Sequence, residues 1–311
     1  MKAAQINEYG TDVVVISRNV NTPEIASGKV LVKVHAAGVN PFDWKIREGY
    51  VPPTDKFSFP ITLGGDFAGT VIDVGQGVTL YRTGDHVYGS GLILSGGSGA
   101  FAEFVLAEEK LTALKPEKAS YLEAAALPLT GVSAWDVLFD KMKLHKGQKI
   151  LIHGGSGGIG SMAIQMAKYL GAHVATTARK DKSEYLKTLG ADEIIDYKDE
   201  VFEEKLEDFD AVFDTVGGDT YKRSFKALKK GGIIVSMLEQ PDHELMDKYQ
   251  VNAVGQSTRI NSHQLKKLAG LFDSGIITVT IERVFPLEET GQALEYQRTG
   301  SVKGKVVIEI A

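Results

Sequence analysis

The chain contains no cysteine. That excludes a disulfide framework, a thiolate nucleophile and any Cys-ligated metal. No apolar run approaches the roughly 20 residues that a helix needs to cross a bilayer. The first residues, Met1-Lys2-Ala3-Ala4-Gln5-Ile6-Asn7-Glu8, lack the apolar core of a secretory signal. There is no excess of basic charge: 35 Lys and Arg stand against 40 Asp and Glu, a formal charge of −5. That balance does not favour nucleic acid or an anionic membrane surface as a partner. Internal repeats and low-complexity stretches are missing too. What remains is an ordinary globular composition, 43% hydrophobic and 24% charged over 311 residues, long enough for two cores. A cytoplasmic protein of two domains is the simplest expectation.

The pattern changes near residue 123. Before it, Val30 to His35, Ala68 to Val74 and His86 to Tyr88 read as short strands set between glycine turns, which predicts a barrel or sandwich. From Tyr121 helix and strand periods alternate. Helical stretches open at Leu122 and Val132. Strands are expected at 149–153, 172–177, 193–196, 211–214 and 232–237, with helices at 158–170 and 181–189 between them. Strands separated by helices imply βαβ units and a parallel sheet. A helix follows at 262–273. The tail Gly304 to Ile310 reads as a strand that alternates apolar and charged residues, so it is expected to return to the first domain.

The densest signal is Gly147 to Gly160. A buried-type strand, Lys149 to His153, runs into G-x-G-x-x-G at Gly155, Gly157 and Gly160, and Ile159, Ala163, Met166 and Leu170 then recur at helical spacing. Strand, glycine turn and helix stand in the order a dinucleotide fold requires. Glycine lets the backbone approach a pyrophosphate, and the helix N-terminus offers N–H groups and partial positive charge to it. NAD-binding folds place an acid about 20 residues further on, at the ribose 2′-OH. Here that strand ends Thr177-Ala178-Arg179-Lys180. A guanidinium can form paired hydrogen bonds to a 2′-phosphate, with Lys180 and the Thr177 hydroxyl as further donors, which points to NADPH. Asp181 keeps NAD open, though it also suits the first turn of the next helix.

Gly147, Gln148, Leu151, Gly155, Ser156, Gly157, Gly158, Gly160, Gln165 and Lys168 together resemble the nucleotide-binding signature of the zinc-independent quinone oxidoreductase, or zeta-crystallin-like, branch of the medium-chain dehydrogenase/reductases. Ala37 to Lys45 is similar to that family's active-site loop. Gly64 to Gly69, Val74-Gly75, Gly84 to Val87, Pro128 to Thr130 and Asp214 to Gly217 also fit, in the family's order. The resemblance implies an α/β protein: a GroES-like β-barrel catalytic domain from residues 1–123 and 260–311, plus a Rossmann doubly wound parallel-sheet domain from 124–259. It also implies NADPH in the cleft between the domains, and a homodimer.

The same resemblance assigns candidate residues. Asn40 lies at the nicotinamide end, where its amide would donate to a developing oxyanion; otherwise it closes a loop. Asp43 positions water or Lys45, or caps a helix starting at Trp44. Lys45 is similar to a cofactor-contacting lysine and is otherwise a solvated charge. Tyr50 is a proton donor or stacking wall, or simply structural. Thr130 matches a position near the nicotinamide ribose or phosphates, or caps a helix over 131–138. Gly155, Ser156, Gly157, Gly158, Ile159 and Gly160 cradle the pyrophosphate. Tyr197 resembles a tyrosine at the adenosine phosphate, and Val216 and Met237 line the cofactor by backbone. The seven histidines, His35, His86 and His153 among them, form no metal-ligand spacing and read as solvated or satisfied imidazoles.

Zinc alcohol dehydrogenases resemble this chain but carry Cys where Asn40 stands and His where Gly65 stands; their third ligand would fall near Pro128 to Thr130. Neither amide nor glycine replaces thiolate and imidazole on zinc. No metal site is therefore expected. Without a Lewis acid to stabilise an alkoxide, the chemistry shifts to acceptors already electrophilic at carbon. These are quinones, 2-alkenals and enones, reduced by hydride from NADPH. An enoyl-thioester or broad carbonyl reductase remains an alternative, as does an NADPH-binding sensor or nucleic-acid-associated relative with little turnover.

Overall fold

Short runs of β-branched and aromatic residues between glycine turns build the N-terminal region. They form β1 (Ala3–Ile6), β2 (Val14–Ser17), β3 (Lys29–Val39), β4 (Ile61–Thr62), β5 (Asp66–Val74), β6 (His86–Ser90), β7 (Phe104–Glu108) and β8 (Thr112–Leu114), with helices α1 (Pro41–Arg47) and α2 (Tyr121–Ala125). The computed structural model describes residues 1–51, 58–300 and 302–310. The chain continues through α3 (Pro128–Trp135), β9 (Lys149–His153), α4 (Gly158–Tyr169), β10 (His173–Ala178), α5 (Ser183–Thr188), β11 (Glu193–Asp196), α6 (Phe202–Lys205), β12 (Phe209–Asp214), α7 (Gly218–Ser224), β13 (Leu228–Ser236), α8 (His243–Tyr249) and β14 (Asn252–Gly255). It ends with α9 (Ser262–Asp273), β15 (Ile281–Pro286), α10 (Thr290–Arg298) and β16 (Lys305–Glu309). Two compact units result: Met1–Leu129 with Ile260–Ala311, and Thr130–Arg259.

In the first unit β3 is the hub. Its first half, Lys29–Lys33, pairs with β7, and its second half, Ala36–Val39, pairs with β16. Register shifts against β5 between Leu31 and Val32 and between Val34 and Ala36 bend the strand, so that its two halves serve different partners. The resulting seven-stranded sheet runs β15-β16-β3-β5-β6-β8, with β7 on β3. A three-stranded sheet, β2-β1-β4, completes this GroES-like unit. Val32, Val34, Phe67, Val87, Phe101, Val105 and Val306 fill its core.

The second unit holds a six-stranded sheet in the order β11-β10-β9-β12-β13-β14, all pairs parallel. The strand order reverses between β9 and β12, the switch point at whose carboxyl ends ligands bind in doubly wound sheets. Leu151, Ala175, Val212, Phe225 and Ile234 lie in its core.

Among the differences from the sequence-based expectation, three bear on how the units are built. Helix α2 packs on the barrel rather than opening the second unit: a Cβ built on Gly38 would lie 2.3 Å from the Ala125 carbonyl oxygen, so only glycine admits the helix there. The tail strand does return to the first unit, but not as an alternating strand. Lys305 through Ile308 are all buried, the lysine included. Strands β14 and β15 were not anticipated; both are half-polar and carry few buried side chains, so neither strand period stands out.

Candidate active site

At the end of β9 the chain turns at Gly154, with φ +71, where a side chain is strained. A Cβ on Gly155 would lie 2.0 Å from Thr176 Oγ1, and one on Gly160 would lie 2.3 Å from the Gly154 carbonyl oxygen. Packing inside the protein therefore demands both glycines. Gly157 is different. Its φ is −76, and a Cβ there would meet nothing nearer than 3.5 Å. Nothing internal requires glycine at 157, which leaves the approach of an external group as its reason. The residue precedes α4, whose N-terminus has no acidic residue in its first turn and no side-chain cap. The donors of Gly158, Ile159 and Gly160 thus suit a pyrophosphate. Ser156 lies in the same turn, half-buried.

Arg179, Lys180 and Tyr197 lie together beyond the ends of β10 and β11, where the Tyr197 N–H donates to the Ala178 carbonyl at 3.3 Å. Arg179 and Lys180 are exposed, and Arg179 Nε lies 3.4 Å from Asp181 Oδ1. Asp181 thus neutralises part of the basic pair instead of reaching past it. Tyr197 is exposed, with the Lys198 ammonium 5.5 Å from its ring centre.

Thr177 points the other way. It is buried, with Oγ1 2.9 Å from His153 Nδ1. His153 Nε2 lies 2.9 Å from Ser224 Oγ, which donates to the Thr220 carbonyl at 2.6 Å. Burial pulls the His153 imidazole down to about 4, so it is neutral. Ser224 uses its one proton on Thr220, so it accepts from His153 Nε2–H. Nδ1 is then an acceptor, and the Thr177 proton goes to it. The Thr177 hydroxyl, expected as an outward donor, keeps only acceptor capacity.

The loops after β12 and β13 are fixed by Asp214. Its Oδ1 accepts from the Val216 and Gly217 N–H groups at 2.9 and 3.0 Å, and its Oδ2 accepts from Ser236 Oγ at 2.6 Å. Met237 N–H donates to the Asp214 carbonyl at 2.9 Å, so Val216 and Met237 are neighbours at the carboxyl ends of their strands. Thr130 is buried in α3; the helix starts at Pro128, so Thr130 is not its N-cap.

In the first unit, sheet register creates a buried polar cluster. Val306 pairs with Val39 and Gly38 with Asp66, which brings Lys305 and Asp66 to opposite sides of Asn40 at the end of β3. Asn40 Nδ2 donates to Asp66 Oδ2 at 2.9 Å. Lys305 Nζ donates to Asn40 Oδ1 and, at 2.7 Å, to the Val39 carbonyl. The Leu129 N–H reaches the same Asp66 oxygen at 3.1 Å. Asn40 also precedes α1, and Asp43, at the third position of that helix, accepts the Asn40 N–H at 2.7 Å. The helix begins at Pro41 rather than Trp44, and Asp43 turns inward instead of toward Lys45. Asn40, Asp43, Asp66 and Lys305 are each no more than 4% exposed. Burial pushes the Asp43 carboxyl up to about 7 against the pull of the Asn40 N–H, and the Asp66 carboxyl up to about 6 against the pull of Lys305 and Asn40. Burial also lowers the Lys305 ammonium below its usual range.

Lys45, in α1, is half-buried, its ammonium 5.7 Å from the Trp44 ring centre. Tyr50 is 70% exposed and stands edge-on to Trp44 at 6.0 Å. Neither touches the buried cluster. Asp66 and Lys305 were missed as site residues. Asp66 was legible only as part of Gly64 to Gly69, and Lys305 only as a charge at the head of an apolar strand.

The sequence profile of the alcohol dehydrogenase GroES-like domain matches residues 26–117, and that of the zinc-binding dehydrogenases matches residues 189–308. Across 99% of its length the chain is 38% identical to a 2-methylene-furan-3-one reductase of Solanum lycopersicum, of which it covers 79%. The chain belongs to the medium-chain dehydrogenase/reductase family. It is also 35% identical, over 99% of its length and 79% of the relative's, to an NADPH-dependent alkenal/one oxidoreductase, chloroplastic, of Arabidopsis thaliana. Its structure matches that of the quinone oxidoreductase from Coxiella burnetii with a TM-score of 0.92 at 36% identity, covering 100% of this chain and 99% of that one. Although one profile takes its name from zinc, no group of three or more His, Cys, Asp or Glu among the described residues could hold a metal ion. The amide of Asn40 and the bare Gly65 do not fit zinc where this medium-chain fold would bind it.

Proposed function

We propose that the protein is an NADPH-dependent reductase of quinones and α,β-unsaturated carbonyls. NADPH, when bound, supplies the hydride. The glycine turn at Gly155 to Gly160 holds its pyrophosphate, Arg179 and Lys180 take the 2′-phosphate, and Tyr197, Val216 and Met237 flank it. Hydride arriving at the β-carbon of an enone, or at a quinone, puts negative charge on the carbonyl oxygen, which calls for a fixed donor. Asn40 is that donor: one Nδ2 hydrogen is committed to Asp66, and the second is available to the acceptor oxygen. Thr130 and Lys45 assist in holding the nicotinamide half. Tyr50 offers an exposed ring for a planar acceptor, and Asp43 supports Asn40 through its backbone. We also infer a cytoplasmic homodimer joined through an edge of the parallel sheet, whose outer strands are β11 and β14.

The observation that carries this reading is the buried, doubly anchored Asn40 amide. The test is steady-state kinetics of Asn40→Ala with an enone and with a quinone. One oxyanion donor is worth up to about 3 kcal/mol, so kcat should fall by roughly 10- to 100-fold while the NADPH dissociation constant stays put. An unchanged kcat removes Asn40 from the catalytic set, and robust oxidation of ethanol with NADP by the wild type overturns the acceptor class.

A further inference from the structure

Lys305 is the least expected residue of the first unit: an ammonium buried at the head of an apolar strand. Its surroundings are fully specified. At the end of β3 it meets the Val39 carbonyl and, one residue on, Asn40 Oδ1; the other ionisable groups that act on it are Asp66 at the start of β5 and Asp43 in α1. An ammonium only donates, so the Asn40 atom it touches must be the oxygen. An ionised carboxylate only accepts, so the atom facing Asp66 must be the nitrogen. The two charges therefore allow one amide orientation and exclude its flipped form. The cation also acts electronically on the amide. A cation on the amide oxygen draws density from the nitrogen, which makes the remaining N–H a stronger donor. Buried charge is costly unless paired, and a cheaper strand residue would be apolar. The pairing with Asn40 gives the charge a use that strand formation does not.

We propose that Lys305 is the positioning residue for Asn40: through Oδ1 it fixes the amide so that its second N–H meets the acceptor oxygen, and it polarises that N–H. Lys305 itself touches no substrate. The inference rests on the proposed donor role of Asn40, and the experiment separates the two. Steady-state kinetics with an enone and NADPH, together with NADPH titration, would be run on Lys305→Met, Lys305→Arg, Asn40→Ala and Asn40→Ala/Lys305→Met. Removing Asn40 is expected to cost roughly 10- to 100-fold in kcat, so misaiming it should cost Lys305→Met somewhat less, roughly 5- to 50-fold. The NADPH dissociation constant should stay within about twofold, and Lys305→Arg, which keeps charge and donors, should recover part of the loss. In the Asn40→Ala background the same substitution should cost less than about threefold, because its target is gone. Equal losses in both backgrounds, or a Lys305→Met enzyme with wild-type kcat, overturn the proposal. If Asn40→Ala alone keeps wild-type kcat, the donor role itself fails and the positioning role fails with it. Should Lys305→Met not fold because Asp66 is left without its cation, Asp66→Asn/Lys305→Met removes both charges together. Read against Asp66→Asn with and without Asn40→Ala, it answers by the same criterion.

Discussion

His153 Nδ1 accepts a hydrogen bond from the Thr177 hydroxyl at 2.9 Å in the buried interior, and Ser224 on its other nitrogen fixes that direction. Thr177 thus belongs to the sheet and not to the ligand, although it stands beside Arg179 in the chain. The expected outcome for Thr177→Val is a loss of stability with cofactor choice untouched. His153 Nδ1 would lose its donor in a buried site, at about 1–3 kcal/mol, which thermal melts would register. The ratio of NADPH to NADH affinity should stay as in the wild type. A variant that melts normally but loses NADPH preference would show that the hydroxyl faces outward.

Cofactor choice should instead reside in Arg179 and Lys180. Both are exposed beyond β10, and the nearby Asp181 is held by Arg179 at 3.4 Å. Hydrogen bonds to a charged group are worth about 1.5–3 kcal/mol, so Arg179→Ala/Lys180→Ala should weaken NADPH binding roughly 10- to 150-fold and leave NADH nearly unchanged. The single Arg179→Ala variant should lose less, because Lys180 can swing toward the vacancy. Calorimetric titration with both cofactors decides it. Equal wild-type affinity for the two, or unchanged selectivity in the double variant, would contradict this assignment.

The nucleotide half was readable from sequence because its physics is local. A strand, a glycine turn and a helix follow each other within Lys149 to Tyr169, and two bases mark the end of the next strand. The acceptor half was not, because register assembles it. Asn40, Asp66 and Lys305 are distant in sequence, and only the pairing of β3 with β5 and β16 brings them together. The charge of Lys305 makes the tail look like an alternating, half-solvated strand, whereas the strand is buried and the charge is inside it. The direction of the Thr177 hydroxyl was equally hidden, since it depends on Ser224, whose contact with His153 is set by tertiary packing.

The buried carboxyls give stability a definite pH dependence. Asp43 is raised from 3.8 to about 7 and Asp66 to about 6, chiefly by burial. Between those values and 3.8 the folded protein holds protons that the unfolded chain has released. Fewer protons bound in the unfolded state means that stability falls as pH rises. The contribution is fully present below the unfolded value and is lost as pH climbs through 6 to 7. Each group changes stability by at most about 1.4 kcal/mol per pH unit within its window. Lys305 and His153, both lowered by burial, act in the opposite sense, and His153, lowered from 6.5 to about 4, offsets part of the carboxyl effect between those values. Urea unfolding should therefore show greater stability near pH 5 than near pH 8. Asp43→Asn, which keeps an acceptor for the Asn40 N–H, should flatten that difference. An identical pH slope in wild type and variant would mean that Asp43 titrates normally.

The glycines of the turn separate packing from binding. Gly160→Ala would set a methyl group 2.3 Å from the Gly154 carbonyl oxygen and 2.7 Å from Gly155 Cα, backbone atoms that cannot move without prying α4 from its turn. That variant should lose about 3 kcal/mol or more of stability. Gly157→Ala meets no protein atom within 3.4 Å, and its φ of −76 and ψ of 176 suit alanine. It should lose at most about 1 kcal/mol, the difference between glycine and alanine as a helix cap, and melt close to the wild type. If a pyrophosphate lies against the turn, however, the new methyl group occupies its place. NADPH affinity should then fall at least about tenfold, or 1.4 kcal/mol, and NADH affinity should fall equally, because both carry the same pyrophosphate. That parity distinguishes this variant from Arg179→Ala/Lys180→Ala, which spares NADH. Tight binding of both cofactors by a folded Gly157→Ala protein would mean that no ligand approaches residue 157. A drop in melting temperature matching that of Gly160→Ala would mean that this glycine, too, is structural.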